Sequence, residues 1–208
     1  MSTQKIFITG ISTDVGKTIV AAVVTEALEA DYWKPIQAGE LENCDTKKVQ
    51  ALISNTHTKF HKNSYALHTP MSPDAAAAID GVTIELAKIQ VPATTNKYLV
   101  IEGAGGILVP LNNQETIADL IKPAYKVIVV SRHYLGSINH TLLTVKFLQA
   151  KGFDVSLVYS GAIHKTTEDS VHRMTGVRVL GRIDEEAHFD TSVITKYARL
   201  FKSVLKTL

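Results

Sequence analysis

The sequence is poor in the features that would place it outside the ordinary globular class. Cys44 is its only cysteine, so no intrachain disulfide can form and the core must hold without one. No apolar run approaches about 18 residues, which excludes an expected membrane-spanning helix. The first residues already read as a strand, with no charged-then-apolar leader, so a cytoplasmic location is expected. Charge of one sign is also lacking: a net +2 does not suit a chain that neutralises nucleic-acid backbone. Internal repeats, low-complexity segments and linkers are absent as well, and the 208 residues suit one sizeable domain spanning 1–208.

What is present is a phosphate-binding pattern. Gly10-Ile11-Ser12-Thr13-Asp14-Val15-Gly16-Lys17-Thr18 follows the apolar run Ile6-Phe7-Ile8 and opens a helix-period segment. Strand, glycine-bearing turn and helix in that order are the context of a P-loop. Backbone N–H groups there surround phosphate oxygens, the helix N-terminus adds positive potential and Lys17 brings a mobile charge. Thr18 is placed to offer its hydroxyl to a phosphate-bound magnesium ion. The spacing departs from the strict pattern, with five residues between Gly10 and Gly16 instead of four.

Strand-like runs recur at 5–9, 31–36, 98–103, 126–131, 155–160 and 177–183, mostly as continuous apolar runs that suggest strands covered on both faces. Helical periodicity fills 17–30, 137–151 and 191–208. Lys196, Arg199, Lys202 and Lys206 lie mostly off the apolar face of the last of these, as a solvated helix face would place them. The alternation predicts an α/β fold of P-loop NTPase type: a mostly parallel sheet with helices on both faces, and ligands at the C-terminal ends of the strands. The stretch 41–96 is less regular. A helix over 46–54, a polar loop to Thr69 and short helices near 74–79 and 83–89 are expected there, as a substrate-binding insertion.

Residues just after strands are the candidates for chemistry. Lys34-Pro35 closes the second strand; a lysine there can hold an anion beside the phosphates, or simply be a surface lysine before a turn. Asp45 precedes a helix, as a magnesium ligand or as an N-cap. Glu102 closes the third strand and leads into Gly103-Ala104-Gly105-Gly106, the arrangement of a second magnesium anchor. Ser137 opens a helix as a credible cap. His57, His61 and His68 lack the helical context of a metal site, Cys44 has no evident base partner, and Trp33 reads as core.

Together these segments resemble the dethiobiotin synthetase family. The Gly10–Thr18 loop with its long spacing, Lys34-Pro35, Asn43-Cys44-Asp45, Glu102-Gly103-Ala104-Gly105-Gly106 with Pro110-Leu111, Leu135-Gly136-Ser137-Ile138-Asn139-His140 and Val179-Leu180-Gly181-Arg182-Ile183 run in family order over most of the chain. The resemblance implies an enzyme of biotin biosynthesis that closes a cyclic urea from 7,8-diaminononanoate, carbon dioxide and magnesium-ATP. A carbamate and a carbamic–phosphoric anhydride would be its intermediates. It implies that Lys34, Lys17 and Thr13 act in catalysis and that Thr18, Asp45 and Glu102 hold magnesium. Thr13, Asp14, Val15, Gly16, Lys17, Thr18, Asp45, Glu102, Gly103, Ala104 and Gly105 would bind ATP. Lys34, Ala38 and Asn139 would bind substrate, with Asn139 reaching a neighbouring subunit of a homodimer and the loop at Met71-Ser72-Pro73 covering the site. No nucleic-acid or membrane partner is implied.

Three departures accompany it. Ala38 stands where family members can carry a hydroxyl, and Tyr134 where they can carry lysine. An Asn-Asp pair that reads adenine can follow the fifth strand; here the residues are Ser160-Gly161-Ala162, and Asp184-Glu185-Glu186 offers no aromatic to stack on the base. The rival readings are a switch-type P-loop ATPase of plasmid partition or septum positioning, which carries a second lysine where Ile11 and Ser12 stand, and a small-molecule kinase.

Overall fold

The computed structural model describes residues 3–208. Strand β1 (Gln4–Gly10) runs into the phosphate-loop segment, and helix α1 (Lys17–Leu28) carries the chain back to β2 (Asp31–Trp33). β3 (Ile36–Ala38), α2 (Asp45–Leu52), β4 (Phe60–His61), β5 (Tyr65–Leu67) and α3 (Pro73–Ile79) follow. Then come β6 (Tyr98–Gly106), β7 (Lys126–Arg132), α4 (Ser137–Ala150), β8 (Asp154–Ser160), α5 (Lys165–Thr175), β9 (Arg178–Ile183) and α6 (Thr191–Leu205).

Seven strands pair in the order β4-β2-β6-β1-β7-β8-β9, every pairing parallel. The apolar runs explain this: Ile6, Phe7 and Ile8 of β1 and Ile128, Val129 and Val130 of β7 are wholly buried, which requires cover on both faces. Right-handed crossovers leave β1 toward β2 in one direction and β7 toward β8 in the other, so α1 and α4 lie on opposite faces. α6 packs beside α1 and α5 beside α4, completing the two helical layers. Ile194, Tyr197, Ala198, Phe201 and Leu205 bury the apolar stripe of α6, as its periodicity predicts.

The run expected as one strand over 31–36 is broken. β2 stops at Trp33, and Ile36–Ala38 pairs instead with β5 in a separate two-stranded sheet. Pro35 supplies no N–H for the main sheet, while its carbonyl accepts from the N–H groups of Ser64 and Tyr65 at the start of β5. The break turns Lys34 inward. The expected polar loop before Thr69 holds the short strands β4 and β5, and the helix expected over 83–89 is only a single turn of 3₁₀ helix at Leu86–Lys88. α5 escaped the sequence pattern because only Thr167 and Val171 along it are buried, too thin a stripe for a period to show.

Candidate functional site

The C-terminal ends of β1, β2 and β6 surround a cleft of about 1030 Å³. Its floor is the phosphate loop. Ile11 N–H bonds to Val130 O at 3.0 Å, which completes the pairing of Gly10 with Val130, the last step of β1 along β7 before the chain turns. The two glycines are needed for different reasons. A side chain on Gly10 would lie 2.7 Å from both Ser12 O and Val15 Cγ2; Gly16 has φ +93° and would meet Ser160 Oγ at 2.7 Å.

Lys17 is buried and donates to Ser12 O at 2.9 Å. Burial lowers its pKa to about 8, partly countered by the negative charge of Glu102. Thr13, Asp14, Gly16 and Thr18 line the cleft, whereas the Val15 side chain is buried beneath the loop. Gly105 also carries a positive φ, with its Cα side facing Thr13 Oγ1 and Val109.

Four predicted residues meet at one point. Lys34 is 4% exposed, and its ammonium contacts the carboxylate of Asp45, Glu102 Oε1 at 3.2 Å and Gly103 O at 3.5 Å. Thr18 Oγ1 donates to Glu102 Oε1 at 3.0 Å. Burial works against the charge on Lys34, but Glu102 and Asp45 outweigh it and hold the pKa above the ordinary lysine value. Burial likewise opposes the charge on Asp45, yet Lys34 beside it keeps the carboxyl below the usual range. Of the two sequence readings for Asp45, the cap is set aside: Cys44 occupies the N-cap position of α2, and Asp45 is the first helical residue. For Lys34 the surface reading fails by its burial.

The set of oxygens suits a hard cation. Among the described residues no three His, Cys, Asp or Glu side chains converge as a metal cage. Two carboxylates and the Thr18 hydroxyl, gathered around the positive charge of Lys34, instead match an ion that takes one or two carboxylates and completes its shell with phosphate and water.

Ala38, Ala104 and Gly105 reach the cleft, as do Met71, Ser72 and Pro73. Asn139 does not: it is exposed on the first turn of α4, outside the cleft of its own chain. Ser137 is the first residue of that helix rather than its cap, which is Gly136 at φ +99°.

The sequence reading missed several residues. Gln37 is buried, donates to Gly39 O at 3.0 Å and accepts from Asp45 N–H at 3.3 Å, so it orients the start of α2. Arg132 and Phe189 line the cleft with Ser160, Arg132 donating to Glu185 Oε1 at 2.7 Å. Phe189 lies three residues past the segment searched for an aromatic and supplies one. Tyr32, read only as part of a strand, donates to Glu102 Oε2 at 2.8 Å.

Residues 4–192 match a family model described as an AAA domain. The chain is 56% identical over 200 residues to the ATP-dependent dethiobiotin synthetase BioD of Christiangramia forsetii, covering 96% of each chain. It is 47% identical to the protein of the same name from Cytophaga hutchinsonii, over 94% of this chain and 95% of that one. Among solved structures it resembles a putative plasmid partition protein of Borrelia burgdorferi bound to AMPPNP, with a TM-score of 0.61, 14% identity and full coverage of both chains. It also resembles the MinC:MinD cell division protein complex of Aquifex aeolicus, with a TM-score of 0.56, 14% identity and 94% of each chain. At such identities the structural likeness speaks to the fold alone, and that fold is the P-loop NTPase type expected.

Proposed function

The chain belongs to the dethiobiotin synthetase family, and from that premise we propose how its residues divide the work of ring closure. It is a ligase that carries out ATP-dependent closure of a ureido ring in biotin biosynthesis. The substrates are 7,8-diaminononanoate, carbon dioxide and ATP. One amine takes up carbon dioxide as a carbamate, the carbamate oxygen attacks the γ-phosphate, and the second amine displaces phosphate from the resulting anhydride to close the ring.

The observation that carries this reading is the buried ammonium of Lys34 between Asp45 and Glu102, beside the phosphate loop. A carbamate approaching a triphosphate is an anion meeting a polyanion, so fixed positive charge must offset the repulsion. Lys34 holds the carbamate, while Lys17 and the Thr13 hydroxyl stabilise the transferring phosphoryl group. Thr18, Asp45 and Glu102 hold magnesium, which when bound neutralises charge on the phosphate oxygens. Backbone groups of the loop from Thr13 to Thr18, and of Gly103 to Gly105, cradle the phosphates.

Residues 41–96 form the substrate wall. Gly39, at φ +71°, lets the backbone approach Pro70, where a side chain would lie 2.5 Å from Pro70 Cβ, and this sets Met71-Ser72-Pro73 over the cleft. Ala38 lines the substrate side without a polar contact. Asn139 serves the cleft of a second subunit in a homodimer; the exposure of Leu135, Ile138 and Leu143 around it supports that arrangement.

Supplying the diamine, bicarbonate and magnesium-ATP should yield the ureido product by mass spectrometry together with ADP. ADP release without ring closure would count against the reading.

A further inference from the structure

Glu102 has no exposed surface, so both of its oxygens depend on protein donors. Oε1 accepts from Thr18 and Lys34 at 3.0 and 3.2 Å. Oε2 accepts from the Tyr32 hydroxyl at 2.8 Å. The terminal torsion of a glutamate is broad, so what donates to one oxygen decides where the other points.

We propose that Tyr32 is a positioning residue for the reaction: its phenol anchors Oε2 of Glu102 so that Oε1 is the oxygen presented to Thr18, Lys34 and the metal. The inference rests on the reading of Glu102 as a magnesium ligand.

The sheet makes the anchor rigid. β2 and β6 are parallel neighbours with Tyr32 opposite Val100, so Glu102, two residues on from Val100, shares that face with Tyr32 and Lys34. The Tyr32 ring is wholly buried and packs against Phe60, with ring centroids 5.7 Å apart. An ionised carboxylate has no hydrogen to give, so in this contact the phenol is the donor and Glu102 Oε2 the acceptor. Tyr159 supplies the contrast. It too is buried, its ring against His133 and Arg182, but among the described residues its hydroxyl has no hydrogen-bond partner, so this fold accepts a buried phenol whose hydroxyl anchors nothing. The Tyr32 hydroxyl is instead aimed at the one carboxylate of β6.

The test is Mn²⁺ binding, followed by electron paramagnetic resonance with a non-hydrolysable ATP analogue present, in four proteins. Partners of a metal's ligands are typically worth 10–100-fold in affinity, so Tyr32→Phe should weaken Mn²⁺ binding about tenfold or more, and Glu102→Gln at least as much. Tyr159→Phe should stay within about twofold of the unaltered protein, being outside that network. In steady state Tyr32→Phe should raise the magnesium concentration needed for half-maximal rate while keeping most of kcat at saturating metal. If Glu102→Gln leaves Mn²⁺ affinity unchanged, the ligand reading fails and the inference falls with it. If Glu102→Gln weakens binding but Tyr32→Phe does not, the ligand reading stands and the positioning role is rejected. Should Tyr32→Phe fail to fold, a crystal structure of the unaltered protein with magnesium and the analogue decides. One Glu102 oxygen on Tyr32 and the other on the metal supports the proposal; a hydroxyl more than about 3.5 Å from both oxygens overturns it.

Discussion

Individual side chains decide what this cleft discriminates. The phosphate end is built from buried charge, with Lys17, Lys34 and Glu102 all less than a tenth exposed. The other end is not. Ser160, Arg132 and Phe189 border it, and Arg132 is already paired with Glu185. An aromatic face stacks on any base, and Ser160-Gly161-Ala162 supplies no side-chain amide and carboxylate pair to read one edge. ATP, GTP and CTP should therefore support turnover with similar kcat/KM. A preference for ATP beyond about a hundredfold, near 2.7 kcal/mol, would contradict this. The phosphate residues were legible because the loop, Lys34 and Asp45 sit at strand or helix boundaries, and because Glu102 is the first carboxylate after the apolar run from Tyr98, although β6 continues past it to Gly106. Phe189 was not, since it reaches the cleft from a loop with no pattern of its own, and Arg132 closes β7 one residue past the run expected to end at 131. Tyr32 was hidden differently: inside a continuous apolar strand a buried tyrosine reads as core, and only the register of β2 on β6 shows that its hydroxyl is spent on Glu102.

Among the elements, β9 and α5 meet in a charged cluster that holds the loop beside the cleft. Arg182 donates to Gly161 O at 2.8 Å and Ala162 O at 3.1 Å, and also pairs with Glu168. Glu168 further accepts from His164 N–H at 3.0 Å, and His133 Nε2 lies 2.9 Å away. Burial opposes the charge on Glu168, but these donors outweigh it and hold the carboxyl below the ordinary glutamate value. A depressed carboxylate stabilises the fold above its unfolded pKa and loses that contribution as pH falls through the folded one. Glu168→Gln should thus cost about 1–2 kcal/mol at neutral pH, as expected for a hydrogen-bonded charge. The deficit, read from urea midpoints, should shrink as pH drops below about 4.3. A deficit that stays constant into that range would show that the charge is not what matters. The long elements were legible for a physical reason: wholly buried β1 and β7 need continuous apolar runs, and α6 needs a full stripe. β4 and β5, at two and three residues, are too short to show a period, and the break at Lys34-Pro35 followed from a missing N–H that the apolar run around it disguised.

At the scale of the whole molecule, the fold is shared at 14% identity with a plasmid partition protein and a cell division protein complex, so the sheet alone does not say what the nucleotide is used for. What is particular here is the convergence of three strand ends. β1 delivers the phosphate loop, β2 stops early to aim Lys34 inward, and β6 carries Glu102 before it runs on to Gly106, while α2 brings Asp45 across from the insertion. Parallel pairing places all three ends on one edge, and there the role proposed for Lys34 is to hold an anion against the γ-phosphate. The most direct measurement is single-turnover formation of the ureido product by Lys34→Ala, beside its affinity for a non-hydrolysable ATP analogue. Loss of one buried cation that acts on developing charge should slow ring closure by roughly a hundredfold or more, while nucleotide affinity stays within about threefold. Ring closure at the unaltered rate, or a loss explained wholly by failed nucleotide binding, would contradict the account.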